Sequence, residues 1–471
     1  MWPTLLKVLG GSLLTFALIW ALVLGWWQSN DYQPNALELG LYLAALPLAL
    51  VGGFLLLRGF IDHLKVSPDV PAAPAPDLRD DDPLAKASAK TAAAERSFTL
   101  GVIDAFVVTG AGGSVDDTLA ALEDGRRPEP STRLSDEAGF PAFAAEVADL
   151  DVEAMAEYLA DTPLHQMSGR EQVVRTLALL ERVIEACSDA LRSLLEQAGE
   201  SATLHVAWVV PMAWREFDLQ AFNAWLQAAW RGVLPDGRTE IVLVPAANEL
   251  DALRVLDESV LRINRDPAGC EVSVVIGAMS AVDEQGVAQW DQAGRLFSSR
   301  HQQRQIPGEG AVALVLAGQT LIDRLALTKG VSISRLSTVV RDKPADAGGR
   351  VSGKLLEQLL SGLLDVTGIE PAAIKTALLD TDHRASHLTE ALEGLGSHFT
   401  HLDPLKDCLA LGASSGTLTP IGGLTALACA RAKVLATEAA VLCISNQHPV
   451  ERGGLLAMPY LPQSDIKTSS I

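Results

Sequence analysis

The run at residues 307–318, Pro-Gly-Glu-Gly-Ala-Val-Ala-Leu-Val-Leu-Ala-Gly, constrains the fold of this chain more than any other stretch. A Pro-Gly turn delivers the backbone into an unbroken apolar segment of strand length, closed by glycine. Without polar alternation, such a segment suits a strand buried on both faces, in a sheet sandwiched between helices. The two glycines around Glu309 admit backbone angles that other residues resist. By itself this is a buried strand with a turn, and it asks for helices above and below.

The rest of the chain supplies them. From residue 98 onward, short apolar runs alternate with longer amphipathic segments, the mark of an α/β body. Strands are expected over 103–108, 204–210, 240–244 and 271–277, with a long helix near 170–198. After Pro307 the pattern restarts, with strands over 311–316, 376–379, 440–445 and 454–459. Helices are expected there over 354–367 and 424–435, and a Gly-rich turn at 411–423. The reading is one domain over 98–471 made of two similar halves, about 98–300 and 301–471. The first strand ends in Thr109-Gly110-Ala111-Gly112-Gly113-Ser114, and Asp116 or Asp117 is expected to cap the helix that follows. This turn lacks GxGxxG spacing before a full-length helix, so a tight strand-to-helix turn accounts for it better than a dinucleotide cradle.

Three stretches together resemble the ketoacyl synthases of the thiolase-fold superfamily. They are Val107-Val108-Thr109-Gly110-Ala111-Gly112 with its continuation through Pro128, the PGEGA strand, and Gly412 to Leu424, which is similar to the family's Gly-His-Thr turn and helix. The likeness runs from about residue 103 to 460. It implies an α/β protein with the duplicated, layered α-β-α-β-α thiolase-like fold. It also implies a dimer paired through the strand beside the nucleophile turn, here near 240–244.

The resemblance further says where chemistry should sit. Condensing enzymes of this family carry the acyl group on a cysteine thiolate at a sharp strand-to-helix turn. There the helix N-terminus lowers the thiol pKa and backbone N–H groups hold the oxyanion. By order and spacing that turn is residues 244–250, where Ala246, Ala247, Asn248 and Glu249 stand and neither Cys nor Ser occurs. Of the family's two histidines, His383 in Asp380-Thr381-Asp382-His383 is the candidate survivor of the first, although Arg384-Ala385-Ser386-His387 replaces the Gly-Thr-Gly-Thr that should follow. Ala413 or Ser414 stands where the second is expected. Because these groups act as a unit, losing the nucleophile and one histidine leaves no useful condensation.

Other constellations are weaker. His383 and His387 stand four apart, and His398 and His401 form a second pair, but no third ligand completes a metal site. Hydrogen-bonded histidines in loops are the plainer reading. Asp380 and Asp382 lie too near in sequence for an acid/base dyad, and no GxSxG elbow supports a hydrolase triad through Ser386 or Ser414. No cofactor and no metal are expected.

Residues 8–27 and 39–57 are apolar, each about the twenty residues a helix needs to cross a bilayer. Lys7 precedes them, and Arg58, His63 and Lys65 follow, which puts both ends in the cytoplasm. The expectation is a transmembrane hairpin over 1–65 in a bacterial inner membrane. A Pro/Ala/Asp-rich linker over 66–97 without apolar period follows it. The net charge of −21 disfavours nucleic acid. Five scattered cysteines without CxxC spacing give neither a disulfide framework nor a zinc ribbon.

The combined expectation is a non-catalytic, membrane-tethered scaffold or adaptor, homodimeric, with protein partners. In overall make-up it resembles accessory proteins of type VI secretion and adaptors for its effectors. The alternatives are an acyltransferase or condensing enzyme, or the partner subunit of a ketosynthase in fatty-acid or polyketide synthesis.

Overall fold

Every residue of the strand Glu309–Ala317 is buried, and the sheet built around it shows why. The computed structural model describes residues 19–29, 35, 41–46 and 91–460, except 236, 268, 328–329, 348–350 and 397. Its contacts divide the chain into two units, Met1–Ala89 and Lys90–Ile471.

The second unit begins with β1 (Thr99–Thr109), α1 (Val115–Glu123), the hairpin β2 (Glu129–Ser135) and β3 (Pro141–Ala144), and the long α2 (Glu171–Ala198). Next come β4 (Thr203–Pro211), α3 (Leu219–Ala229), β5 (Thr239–Ala246), α4 (Glu249–Arg265), β6 (Glu271–Ser280) and β7 (Glu309–Ala317). The remainder holds β8 (Val331–Ser334), β9 (Ser337–Val340), α5 (Lys354–Thr367), β10 (Ile374–Leu379), α6 (Ala385–Leu395) and β11 (Cys408–Ala410). It closes with α7 (Gly422–Thr437), β12 (Ala440–Ser445) and β13 (Glu451–Pro459). Apart from β2 and β3, the strands join in one sheet ordered β11-β10-β12-β13-β8-β1-β7-β6-β4-β5, with β9 added on β13.

Alternation along the strands sorts the helices into layers. In β4, Ala207 and Val209 face the core shared with α4 and α7, whereas Val206, Trp208 and Val210 face α2 and α3. In the other half of the sheet, Leu378, Val441 and Leu455 join that same α4/α7 core. Their neighbours Ala377, Leu379, Leu442 and Leu456 pack on α5 and α6. The two halves of this one sheet therefore enclose α4 and α7 and carry further helices on their outer faces, the layered arrangement expected. α7 is the middle filling: residues 422–430 are buried without interruption, and most are small enough for α4 to lie close.

The PGEGA motif has a packing reason for each part. Gly308 lies where a Cβ would come within 2.2 Å of the Ser415 carbonyl oxygen, so only glycine lets the 412–416 turn approach. Glu309 reaches into the helix layer, where Arg175 of α2 donates to both of its oxygens at 2.8 and 2.6 Å. Gly110 serves the first strand in the same way, its missing Cβ making room for the Ala145 carbonyl at 2.4 Å. The Gly-rich turn after β1 is thus packed against backbone.

Two local expectations change. The cap of α1 is Ser114, whose hydroxyl oxygen accepts the Asp117 N–H at 3.1 Å, not Asp116 or Asp117. Ser114 is extended, whereas both aspartates already lie inside the first turn, where their charge suits the helix dipole. Within the expected linker, residues 91–96 are helical, and Glu95 pairs with Arg265 at 2.7 Å. The rest of that segment lies outside the described residues.

The described parts of the first unit, residues 19–29 and a helical turn at Leu41–Ala45, touch each other. The Trp20 indole donates to the Leu43 carbonyl at 2.7 Å, and the Trp27 and Tyr42 rings meet edge-on at 6.3 Å. Among the described residues no helix is long and apolar enough to cross a membrane. The two expected spans fall largely outside them.

Candidate functional site

The turn from β5 into α4 is where the resemblance places a nucleophile. The strand ends at Ala246, which is buried, and Ala247 is exposed. Asn248 is extended, with φ −150° and ψ 175°, and its side-chain oxygen accepts the Asp251 N–H at 2.9 Å. That bond satisfies one of the orphan donors of the helix start, the ordinary task of an N-cap residue. The Asp251 carboxylate in turn accepts the Ala247 N–H at 3.0 Å. Glu249 is the first residue of α4 and only 2 % exposed. The turn therefore has the expected shape, but its side chains are spent on capping and burial.

Opposite it stand carboxylates. Asp380, just beyond β10 and 4 % exposed, accepts the Ser445 hydroxyl and the N–H groups of Asn446 and Gln447 at 2.9 and 3.1 Å. Glu249 accepts the Thr419 hydroxyl. Burial, reinforced by the neighbouring Asp380 charge, pushes the Glu249 carboxyl up to about 7. Burial also raises Asp380, against the pull of its three donors. Asp382, next along, accepts from Arg384 and from the Gln447 amide.

His383 does not join this group through any hydrogen bond. Its Nε2 lies 3.0 Å from the Gln302 carbonyl, and its ring meets Phe297 edge-on at 5.0 Å. Phe297 also meets Phe143 at 5.1 Å and lines a cleft of about 500 Å³ between the β2–β3 hairpin and residues 296–304. His387 lies in α6, where it is buried between the Asn446 carbonyl at 2.6 Å and Asp346 at 3.2 Å, and it holds the Asp346 carboxyl well below the usual range. The two histidines thus have separate partners, and the loop expected for His387 is a helix. His401 Nε2 lies 2.7 Å from the Ile374 carbonyl. Among the described residues, no three His, Cys, Asp or Glu side chains are grouped to hold a metal ion.

Ala413 and Ser414 sit in the buried turn Gly412–Ser415. Its position is fixed by the Gly412 N–H, which donates to the Thr381 carbonyl at 3.0 Å, and by Arg127, which donates to the Ala413 carbonyl at 3.2 Å. The hydroxyls of Thr381, Ser415 and Thr417 are buried nearby without partners. No thiol compensates. Cys187, Cys429 and Cys443 are buried, and burial pushes the first two up to about 12 and the third higher still. Cys270 lies at the start of β6, where Arg324 donates to its sulfur at 3.1 Å.

Sequence reasoning missed the Glu249–Asp380 pairing, which joins residues far apart in the chain. The one signal was that each acid stands close behind an apolar strand, Asp380 directly after β10 and Glu249 three residues past the end of β5.

Neither a protein-family model nor a curated protein matches the chain. Solved structures match it in fold. One is the type II polyketide ketosynthase AntDE in complex with the acyl-carrier protein AntF, with a TM-score of 0.55 and 12% identity over 77% of this chain and 99% of that one. Another is the oxazolomycin ketosynthase domain OzmH KS7 of Streptomyces albus JA3453, with a TM-score of 0.52 and 13% identity over 78% of this chain and 74% of that one. A third is the ketosynthase from module 6 of the bacillaene synthase of Bacillus subtilis 168, with a TM-score of 0.51 and 12% identity over 77% of this chain and 72% of that one. At such identities the likeness is one of fold.

Proposed function

The body of this chain has the ketosynthase fold, and from that premise we propose a protein that does not condense acyl groups but acts as a protein-binding scaffold or partner subunit. The observation that carries the reading is the sealed turn, where Asn248 caps α4 and Glu249 is buried against Asp380. Neither Cys nor Ser stands at that point, and an emptied fold keeps its surfaces for recognition. Among the described residues β5 is the edge of the sheet, with β4 its one neighbouring strand, Val242 exposed and the Ile241 carbonyl accepting from the Asn223 amide at 3.3 Å. An edge strand offers unpaired backbone groups to another chain, so β5 is where a second copy or a ketosynthase subunit would add. The AntDE ketosynthase is held with a carrier protein, and a carrier protein is a candidate partner here too. A membrane tether and a role in type VI secretion rest on residues 8–57 and overall make-up alone.

The test is to incubate the full chain with labelled acyl and malonyl thioesters and, separately, to purify tagged chain from its own cells. The reading expects no covalent acylation and recovery of a cysteine-bearing ketosynthase or a carrier protein. Recovery of secretion-system components instead would move the reading to the adaptor. Acyl transfer to this chain would overturn both.

A further inference from the structure

Glu249 at the start of α4 and Asp380 at the end of β10 meet at the N-terminus of α7, on either side of Gly422. A Cβ on Gly422 would lie 3.5 Å from Glu249 Cγ and 3.8 Å from Asp380 Cβ. Of the cations nearest this point, Arg384 pairs with Asp382 and Asp346, while Arg452 shares Glu390 with Arg341 and its remaining charge favours an ionised Asp380. On α4, Asp251 pairs with Arg254. The first turn of α7 is Gly-Gly-Leu-Thr and brings no charge, and Cys443 on β12 keeps its proton because burial raises its thiol.

The hydrogen-bond donors are divided unequally. Asp380 accepts from a hydroxyl and two backbone N–H groups, Glu249 from one hydroxyl. Together with the N-termini of α4 and α7, these donors stabilise one negative charge well. With Arg452 acting on Asp380, a second charge on Glu249 would be buried without a counter-ion of its own.

We propose that Glu249 and Asp380 hold one proton between them, and that this proton latches the junction of α4, β10 and α7. With the proton bound, the three elements close over the pair. Once it leaves, two adjoining buried carboxylates push the start of α4 away from the end of β10, on either side of the start of α7. The pair titrates as a unit, and the Glu249 carboxyl, raised to about 7 chiefly by burial, places the transition near neutral pH. Its folded-state value is above its unfolded one, so its contribution to stability is complete below the ordinary carboxylate range and lost as pH rises through about 7. The latch depends only on the fold, whatever the chain pairs with.

Thermal melts of the full chain and of Glu249→Gln between about pH 5 and about pH 8.5 test it. The wild-type melting temperature should fall by roughly 2–4 °C across that range relative to the variant, which keeps the neutral form at every pH. Corrected for the intrinsic acceleration of exchange with pH, amide protection over 247–253 and 419–425 should fall in the wild type alone as pH rises. Parallel melting profiles would overturn the proposal. Should Glu249→Gln fail to fold, infrared titration of the wild type decides: a protonated-carboxyl band persisting to neutral pH and then vanishing supports the latch, and its absence at mildly acidic pH removes it.

Discussion

Arg175 grips Glu309 with two charge-assisted hydrogen bonds, and the carboxylate has no exposure to solvent. Its remaining capacity is taken by the Val147 N–H at 2.9 Å and the Ser280 hydroxyl at 2.8 Å. One ion pair thus ties the long helix α2, the segment after β3 and the ends of β6 and β7 at a single point. Removing one partner strands a buried charge. Glu309→Gln or Arg175→Met is expected to destabilise by about 3–5 kcal/mol in urea unfolding, and Arg175→Met with Glu309→Leu by distinctly less than the sum.

The cap on α4 is separable from the acid pair beside it. Asn248→Ala is expected to cost about 1 kcal/mol, and Asn248→Ser to restore most of that loss. Equilibrium denaturation of the three forms checks this. An equal loss for serine and alanine would mean that Asn248 contributes something other than its side-chain oxygen.

A charge on the sheet edge should act on pairing without touching the core. Val242 is exposed on β5, so Val242→Lys should leave the melting temperature nearly unchanged. Light scattering should nonetheless show the mass of any assembly falling to that of one chain. A self-associated form unaffected by this substitution would place the interface elsewhere.

The thiols offer a direct check on the absence of a reactive cysteine. With burial raising Cys187, Cys429 and Cys443, native protein treated with iodoacetamide at neutral pH should leave all three unlabelled by mass spectrometry. Label should appear at them only after denaturation. Rapid native labelling at any of the three would point to a thiolate the structure does not contain.

Much of the framework was legible because its signals are local. The unbroken apolar run after Glu309, the periodicity over 170–198 and the break at 244–250 each become the element expected, within a few residues. The β2–β3 hairpin was not, because Glu129–Ser135 has only two buried positions and reads as loop. α6 was missed for a related reason: Ala385–Leu395 begins without a side-chain cap, after the polar segment 380–384 that follows β10. The site was half legible. Chain order identified Asn248 and Glu249, but what faces them depends on a tertiary contact with Asp380, Thr419 and Ser445. His383 shows the converse: it lies near the expected place in the sequence, yet its hydrogen bond goes to Gln302.

α7 carries a consequence for how the molecule is made. Its Gly422–Ala430 stretch fills the central layer from all sides, yet it comes late in the chain. Until those residues have left the ribosome, α4 can rest on the strands of the first half, but the side it turns to α7 stays uncovered, although it was synthesised far earlier. The core of the first half therefore stays unfinished, one apolar face bare, for the whole interval between the synthesis of α4 and that of α7.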